Sequence, residues 1–232
     1  MPDLELTARL QAVADLVPEG SRVADIGTDH GLLPVYLMVQ DRASYIVATD
    51  VHHDPLNAAR KNVSSRGLEG DIELRQGWGL DPLEPGEVDT LVISGLGGNT
   101  ILEILDDAPD IGAEHLILQP VQHLYQLRCG LAARGFAYSD EALVKDEGKY
   151  YTVISGRIGS NRITYSELEL RVGPVILEKR PPILGEYLQE MLERWEKIIR
   201  GLANSKQPSA IERYRLFQKL IAEGQEVLAC LQ

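Results

Sequence analysis

The sequence predicts an α/β protein in which a mostly parallel sheet is followed by a helical hairpin. Short β-branched runs alternate with helical segments between residues 22 and 134, as in a parallel sheet covered by helices on both faces. Two further strand-like runs, 136–144 and 150–156, are separated by a short turn at Glu147-Gly148, so the last strand should run antiparallel. After Gly159 the apolar residues recur at helical spacing.

The elements follow one another in a regular order. An amphipathic helix over 4–17 ends at Pro18. The predicted strands are 22–26, 45–49, 71–75, 90–94, 115–118, 136–144 and 150–156, and the predicted helices between them are 32–39, 55–66, 100–105 and 122–134. Five βα units followed by an antiparallel hairpin is the chain order of class I methyltransferases, whereas most dehydrogenases continue with parallel strands. The expected fold is therefore a Rossmann-like, seven-stranded class I methyltransferase sheet.

The C-terminal part predicts a coiled-coil-like pair of antiparallel helices. Its apolar rows, spaced alternately by four and three residues on either side of 204–208, are Leu184, Leu188, Met191, Trp195, Ile198 and Leu202, then Phe217, Ile221, Gly224, Leu228 and Leu231. We expect two domains, a cofactor-binding domain over 1–160 and the helical hairpin domain over 161–232.

Charge is distributed unevenly along the chain. The net charge is −12, and residues 1–160 carry 12 Lys and Arg against 25 Asp and Glu, while residues 161–232 carry 11 against 10. An acidic first domain argues against nucleic-acid binding there. The apolar runs are too short to span a membrane, and the acidic start does not resemble a signal peptide. Cys129 and Cys230 form neither a metal pattern nor a disulfide framework, so we expect a cytoplasmic protein without a metal.

A glycine loop after the first strand predicts the cofactor. Asp25-x-Gly27-x-x-x-Gly31 joins that strand to a helix, where the backbone turns sharply and the helix N-terminus offers unpaired N–H groups. A dinucleotide fingerprint requires glycine at the position of Asp29. A carboxylate there repels a pyrophosphate but accepts hydrogen bonds from an ammonium group. The loop, including Thr28, therefore favours S-adenosylmethionine over NAD.

Three more strand ends carry candidate cofactor residues. Asp50, followed by Val51, lies about 20 positions after the loop, where an acid accepts hydrogen bonds from ribose hydroxyls, or else caps a helix. Trp78, after Gly77, either stacks on a base or covers the sheet. Gly95 belongs to a glycine-rich loop at the end of the fourth strand, on the edge where open α/β sheets bind ligands.

Several segments together resemble the TrmK family, the bacterial tRNA (adenine-N1)-methyltransferases that modify position 22. The matching segments, spread over essentially the whole chain, are Arg9-Leu10, Pro18-x-Gly20, Asp25 to His30, Leu33-Pro34, Gln76-Gly77, Gly79-Leu80, Gly95 to Gly98, Leu116 to Pro120, Glu147 to Tyr151 and Gly173-Pro174. The sequence departs from the family pattern at Trp78, where Asp is frequent, at Val121, where Asn is frequent, and at Gly31-Leu32, where Ala-Tyr is frequent.

The resemblance implies methyl transfer from S-adenosylmethionine to N1 of a tRNA adenine, which requires in-line positioning and a flipped-out base. Asp29 is expected to anchor the cofactor or to stabilise the cationic product, and His30 to bind the substrate or cap the helix. Gln119 and Pro120 are expected to hold the base edge. Arg9 either binds a phosphate or pairs with an acid. Tyr150, or Tyr151, either stacks on the base or is buried.

Binding tRNA also requires cations that contact phosphates. Arg194, Lys197 and Arg200 recur every three residues in the first long helix, and they form either a tRNA-binding stripe or, with neighbouring glutamates, a salt-bridged face. Three alternatives remain: a methyltransferase for a small molecule or a protein, a non-catalytic RNA-binding module of the same fold, and a nicotinamide-dependent oxidoreductase. The sequence does not predict an oligomeric state.

Overall fold

A computed structural model describes residues 4–107, 111–159 and 164–231. The chain divides into two compact units, Met1–Ile163 and Thr164–Gln232. The domain boundary expected between residues 160 and 161 lies outside the described residues.

The first unit contains the predicted seven-stranded sheet. Its strands are β1 (Ser21–Ile26), β2 (Ala43–Asp50), β3 (Ile72–Gln76), β4 (Thr90–Gly97), β5 (His115–Gln122), β6 (Phe136–Asp146) and β7 (Lys149–Ile158). They are arranged in the order β3-β2-β1-β4-β5-β7-β6. Strands β1 to β5 are parallel, and β7 runs antiparallel to both β5 and β6. The class I methyltransferase fold is therefore confirmed.

Helices cover both faces of this sheet. They are α1 (Ala8–Leu16), α2 (Leu32–Val39), α3 (His53–Ser64), α4 (Gly98–Asp106) and α5 (Leu124–Ala133). Side chains alternate along each strand, so in β4 Leu91 and Ile93 join one apolar cluster and Val92 joins the other. Burial of both faces leaves the carboxyl ends of the parallel strands as the edge where a ligand can bind.

Two strands continue further towards that edge than the sequence predicted. Strand β4 includes Gly95 and ends at Gly97, and β5 includes Pro120 and ends at Gln122. The pairing of β4 with β5 shifts register around Gly95, which has a φ of +78°. The glycine run is thus an irregular strand end, because glycine adopts this backbone conformation without strain.

Residues 164–231, the described part of the second unit, form four helices. They are α6 (Glu167–Val172), α7 (Pro174–Lys179), α8 (Leu184–Leu202) and α9 (Pro208–Ala229). The two long helices were predicted, and the two short ones were not. The predicted apolar row omitted Leu192, which is buried and lies so close to Gly224 that a Cβ there would be 3.0 Å from its Cδ2 atom. Helix α9 also contacts α6, so the buried face is wider than a two-helix seam. Among the described residues, no helix is long and apolar enough to cross a membrane.

Candidate active site

A cavity of about 480 Å3 opens at the carboxyl ends of the parallel strands in the first unit. Each of the strand ends singled out from the sequence contributes to its wall. The main lining segments are 25–30 after β1, 49–52 after β2, 77–79 after β3 and 94–96 in β4, joined by Arg9 from α1.

The loop after β1 is fixed mainly by backbone hydrogen bonds. The Gly27 and Thr28 N–H groups both donate to the Thr49 carbonyl, at 2.9 and 2.8 Å. Gly31 has a φ of +67°, and a Cβ there would lie 2.9 Å from the Cβ of Ala59 on α3. Only glycine therefore lets α3 approach the loop this closely. Asp29 has a φ of +53°, a left-handed conformation that Asp tolerates better than most residues.

Two carboxylates lie deep in this wall. Asp25 is buried; burial raises its pKa to about 6, with the Thr28 hydroxyl opposing the shift and the charge of Asp50 adding to it. Asp50 accepts hydrogen bonds from the Asp29 N–H at 3.3 Å and from the His52 N–H at 2.9 Å. Each carboxylate oxygen of Asp50 keeps a second lone pair for a ligand. A carboxylate held this way is pre-positioned for ligand hydroxyls.

Another part of the wall is apolar. Val51 and Trp78 line the cavity and are 39% and 43% exposed. An exposed indole at the rim favours a stacking surface over a buried cover for the sheet. Near them, the Gly77 N–H donates to the Asp50 carbonyl at 3.1 Å.

The cavity wall fits S-adenosylmethionine chemically. The Thr49 hydroxyl lines the cavity, is buried and makes no hydrogen bond to any described residue. Buried polar atoms without partners are uncommon and mark places where a ligand atom binds. Carboxylates suit an ammonium group and a ribose diol, and the apolar pair suits adenine. Because these groups differ in chemistry from one part of the wall to the next, they match a ligand with an amino-acid end and a base end.

Behind the cavity, Gln119 connects α1 to β4. Its Oε1 atom accepts from the Arg9 guanidinium at 2.6 Å and from the Gly95 N–H at 3.2 Å, and its Nε2 donates to the Pro120 carbonyl at 2.9 Å. The Arg9 guanidinium also lies 5.7 Å from the ring centroid of Tyr151. Gln119 is fully buried and does not belong to the cavity lining, whereas Arg9 does.

The comparisons with known proteins agree with this geometry. A family model described as a methyltransferase domain matches residues 6–154. The tRNA (adenine(22)-N(1))-methyltransferase of Bacillus subtilis is 36% identical over 198 residues, which is 82% of this chain and 83% of that protein. The chain belongs to the tRNA (adenine(22)-N(1))-methyltransferase family.

Solved structures of this family have the same fold. The B. subtilis tRNA methyltransferase TrmK has a TM-score of 0.85 and 29% identity, with 97% of this chain and 100% of that chain covered. A putative tRNA (m1A22) methyltransferase of Streptococcus pneumoniae, solved with S-adenosyl-L-methionine, has a TM-score of 0.82, 29% identity and the same coverage.

The structure does not bring all the candidate residues of the family site together. Asp29 and His30 are in the cavity wall, with 3.6 Å between an Asp29 carboxylate oxygen and the His30 Nε2. Pro120 is buried in β5, and Tyr150 lies at the start of β7, where Lys145 is 5.0 Å from its ring centroid. Neither residue lines the cavity.

The basic residues of α8 belong to the second unit and are exposed. Arg194 and Arg200 pair with Glu190 and Glu196, the latter pair at 3.6 Å. Lys197 has no ion-pair partner in the part of the chain that the structure describes. The row is thus partly salt-bridged and partly free.

Several cavity residues were missed from the sequence. They are Thr49, His52, Pro55, Ser94, Leu96, Thr100 and Ile104. Thr49 and His52 flank the predicted Asp50 and Val51, so their place at a strand end was the available signal. Thr100 and Ile104 carry no such signal, because they reach the cavity from α4. No group of three or more His, Cys, Asp or Glu in the described ranges has the arrangement of a metal site.

Proposed function

We propose that this protein transfers a methyl group from S-adenosylmethionine to N1 of an adenine in tRNA, at position 22. The observation that carries the proposal is the cavity at the strand ends, lined by buried Asp25 and Asp50 and by exposed Val51 and Trp78, in a chain 36% identical to a tRNA (adenine(22)-N(1))-methyltransferase. We also propose a cytoplasmic location, which a tRNA substrate favours.

The cofactor would be held along the cavity wall from β1 to β3. Asp50 would accept hydrogen bonds from the ribose hydroxyls, as its fixed carboxylate allows. Val51 and Trp78 would hold the adenine, and Thr28, Asp25 and Asp29 would receive the amino-acid end. A bound ammonium would favour the ionised form of Asp25, because an opposite charge lowers the pKa of a carboxyl group.

The chemical step requires little proton transfer by the protein. The bound cofactor would supply a sulfonium methyl group; adenine N1 would form the new N–C bond through its in-plane lone pair as the S–C bond breaks, and neutral S-adenosylhomocysteine would leave. The protein contributes position, and it stabilises the positive charge that the base acquires. Asp29 suits this second task because its side chain is 67% exposed at the cavity wall, beside His30.

Arg9 is the cation of the cavity wall best placed to contact the RNA. Gln119 holds its guanidinium from behind, and Tyr151 lies beside it. We therefore assign Gln119 to positioning Arg9 and the Gly95 backbone, and we assign Arg9 to a tRNA phosphate. The hairpin α8–α9 supplies further phosphate contacts through Arg194, Lys197 and Arg200.

The test is methylation of unmodified tRNA with labelled S-adenosylmethionine, followed by mapping of the labelled nucleotide. We expect label at adenine 22 and none in a transcript with guanine at that position. Label at another nucleotide would contradict the position, and cofactor binding without labelling of any tRNA would contradict the substrate.

A further inference from the structure

The last two residues of β3 connect the apolar parts of the cavity wall to the sheet. Arg75 and Gln76 are consecutive, so their side chains extend to opposite faces of the strand. Neither lines the cavity. Gln76 donates a hydrogen bond to Val51, which does, and Arg75 donates one to Pro82, in the loop that follows the lining residues 77–79.

Arg75 ties down the loop that carries Trp78. Its Nη1 atom donates to the Pro82 carbonyl and to Glu87 Oε1, both at 2.8 Å, and its Nη2 donates to Glu87 Oε2 at 3.0 Å. Glu87 Oε1 also accepts from the Glu84 N–H at 2.6 Å. One planar guanidinium therefore fixes two points of the loop, with the two-pronged geometry that a lysine cannot reproduce.

The loop transmits this restraint to Trp78 over a short path. The Asp81 N–H donates to the Trp78 carbonyl at 3.0 Å, which closes a turn just before Pro82. The Pro82 ring covers Gly77, since a Cβ on Gly77 would lie 2.4 Å from the Pro82 Cγ. Trp78 therefore lies between Gly77, which packs under Pro82, and the turn over residues 78–81.

The other side of the Arg75 guanidinium is anchored to the sheet. Its Nε and Nη2 donate to Glu73, both at 2.9 Å, and the Tyr45 hydroxyl of β2 donates to the same carboxylate at 2.7 Å. These bonds from Arg75 and Tyr45 hold the pKa of Glu73 at about 2. The anchor stays ionised at any pH used to assay the enzyme.

Gln76 acts in the same way on Val51. It pairs with Asp50 at the last position of the β2–β3 ladder, and its Nε2 donates to the Val51 carbonyl at 3.0 Å. The side chain thereby extends the ladder one residue past the end of the sheet. Val51 and Trp78 are thus both held in position relative to the end of β3, Val51 through Gln76 and Trp78 through Arg75.

We propose that Arg75 and Gln76 are positioning residues that set the separation of Val51 and Trp78, and so determine the affinity for the adenosine end of the cofactor. This inference rests on the proposed function, in which these two side chains enclose adenine. It concerns residues that would touch no atom of the cofactor themselves.

The test compares two ligands by calorimetry. S-adenosylhomocysteine has both the adenosine and the amino-acid end, while 5′-methylthioadenosine has the adenosine end alone. Arg75→Met and Gln76→Leu are expected to weaken both ligands by the same factor, about tenfold for Arg75→Met. Asp29→Asn is expected to weaken S-adenosylhomocysteine only. In the methylation assay, Arg75→Met raises the KM for S-adenosylmethionine and leaves kcat unchanged.

Two variants check that Arg75 acts through the loop. Arg75→Met combined with Trp78→Ala should bind no more weakly than Trp78→Ala alone, since coupled residues do not add. Arg22→Met removes an arginine that pairs with Asp89 at 3.7 Å at the start of β1, and it should leave both affinities unchanged. If Arg75→Met fails to fold, Glu87→Gln gives the same readouts with one charge removed.

Unchanged affinity in Arg75→Met, or losses that add to those of Trp78→Ala, would overturn the positioning role. A wild-type protein that binds neither ligand would instead overturn the proposed function.

Discussion

The two units of this protein carry their charged groups in opposite ways. In the first unit Asp25 and Asp50 are buried, and the N–H groups of Asp29 and His52 fix the carboxylate of Asp50. In the second unit the charged side chains of α8 are exposed, and two of the arginines are paired with glutamates one turn away. Fixed, desolvated charge suits recognition of one small ligand, whereas exposed cations suit a polyanion with many equivalent phosphates.

The difference also explains how an acidic protein can act on RNA. Residues 1–160 carry 25 acidic against 12 basic residues, and some of this negative charge is needed where the cofactor binds. The charge-balanced second unit is then the better place for phosphate contacts. We therefore expect substitutions at Asp25 and Asp50 to change cofactor binding, and substitutions in the hairpin to change tRNA binding.

The largest expected effect is a loss of affinity for the cofactor. Asp50→Ala removes the acceptor for two ribose hydroxyls and frees the N–H groups of Asp29 and His52, so the affinity for S-adenosylmethionine should fall roughly 100-fold or more. Calorimetry measures it. Asp71→Asn, an exposed acid just before β3, is the matched control and should bind normally. Near-normal binding by Asp50→Ala would remove the ribose role.

The second prediction concerns the stability of the apoprotein. The pKa of Asp25 is raised by burial from 3.8 to about 6, so its neutral form is the one the fold favours. Its contribution to stability is complete below pH 4 and is lost as the pH rises through 6. At pH 8 this loss is roughly 3 kcal/mol.

Asp25→Asn removes that loss, and the variant should unfold at higher denaturant than wild type at pH 8 but not at pH 4. It should also bind S-adenosylmethionine more weakly, which would identify Asp25 as a buried acid retained for its ligand. Equal stability of the two proteins at both pH values would show that the carboxylate is not desolvated in solution.

The sequence predicted the parts of this site that depend on local order. Strand ends are visible as β-branched runs followed by glycine or acid, so Asp25, Asp50, Trp78 and Gly95 were found without a structure. The hydrogen bond from Arg9 to Gln119 joins residues 110 positions apart, and the spacing of residues within one helix or strand does not predict such a contact. For the same reason the connections from Arg75 to Pro82 and from Gln76 to Val51 were not predicted.

Packing between elements is the second feature that the sequence did not predict. The seam of the helical hairpin was predicted from spacing alone, which identified Leu188 and Trp195 but missed Leu192. A third helix, α6, contacts α9 and widens the buried face, and spacing within one helix carries no information about that neighbour.

The third prediction tests the hairpin. Changing Arg194, Lys197 and Arg200 together to Glu should weaken tRNA binding about 30-fold at 0.1 M salt and make the affinity less dependent on salt. Cofactor affinity should not change. Filter binding over a salt series measures both. An equal loss on reversing Arg60 and Lys61 of α3 together with Arg66, which lies just after that helix, would contradict the assignment of tRNA binding to the hairpin.

The smallest effect decides whether the row on α8 is a binding stripe or a salt-bridged face. Glu190→Gln with Glu196→Gln releases Arg194 and Arg200 from their acidic partners while keeping side-chain size. If the arginines contact phosphates, the tRNA no longer has to displace the glutamate carboxylates that pair with them, and tRNA affinity should rise about threefold. Loss of two exposed pairs one turn apart costs the helix at most about 1 kcal/mol. A fall in melting temperature with no gain in tRNA affinity would mean that the glutamates serve the helix alone, and that Lys197 and the second long helix carry whatever contact the hairpin makes.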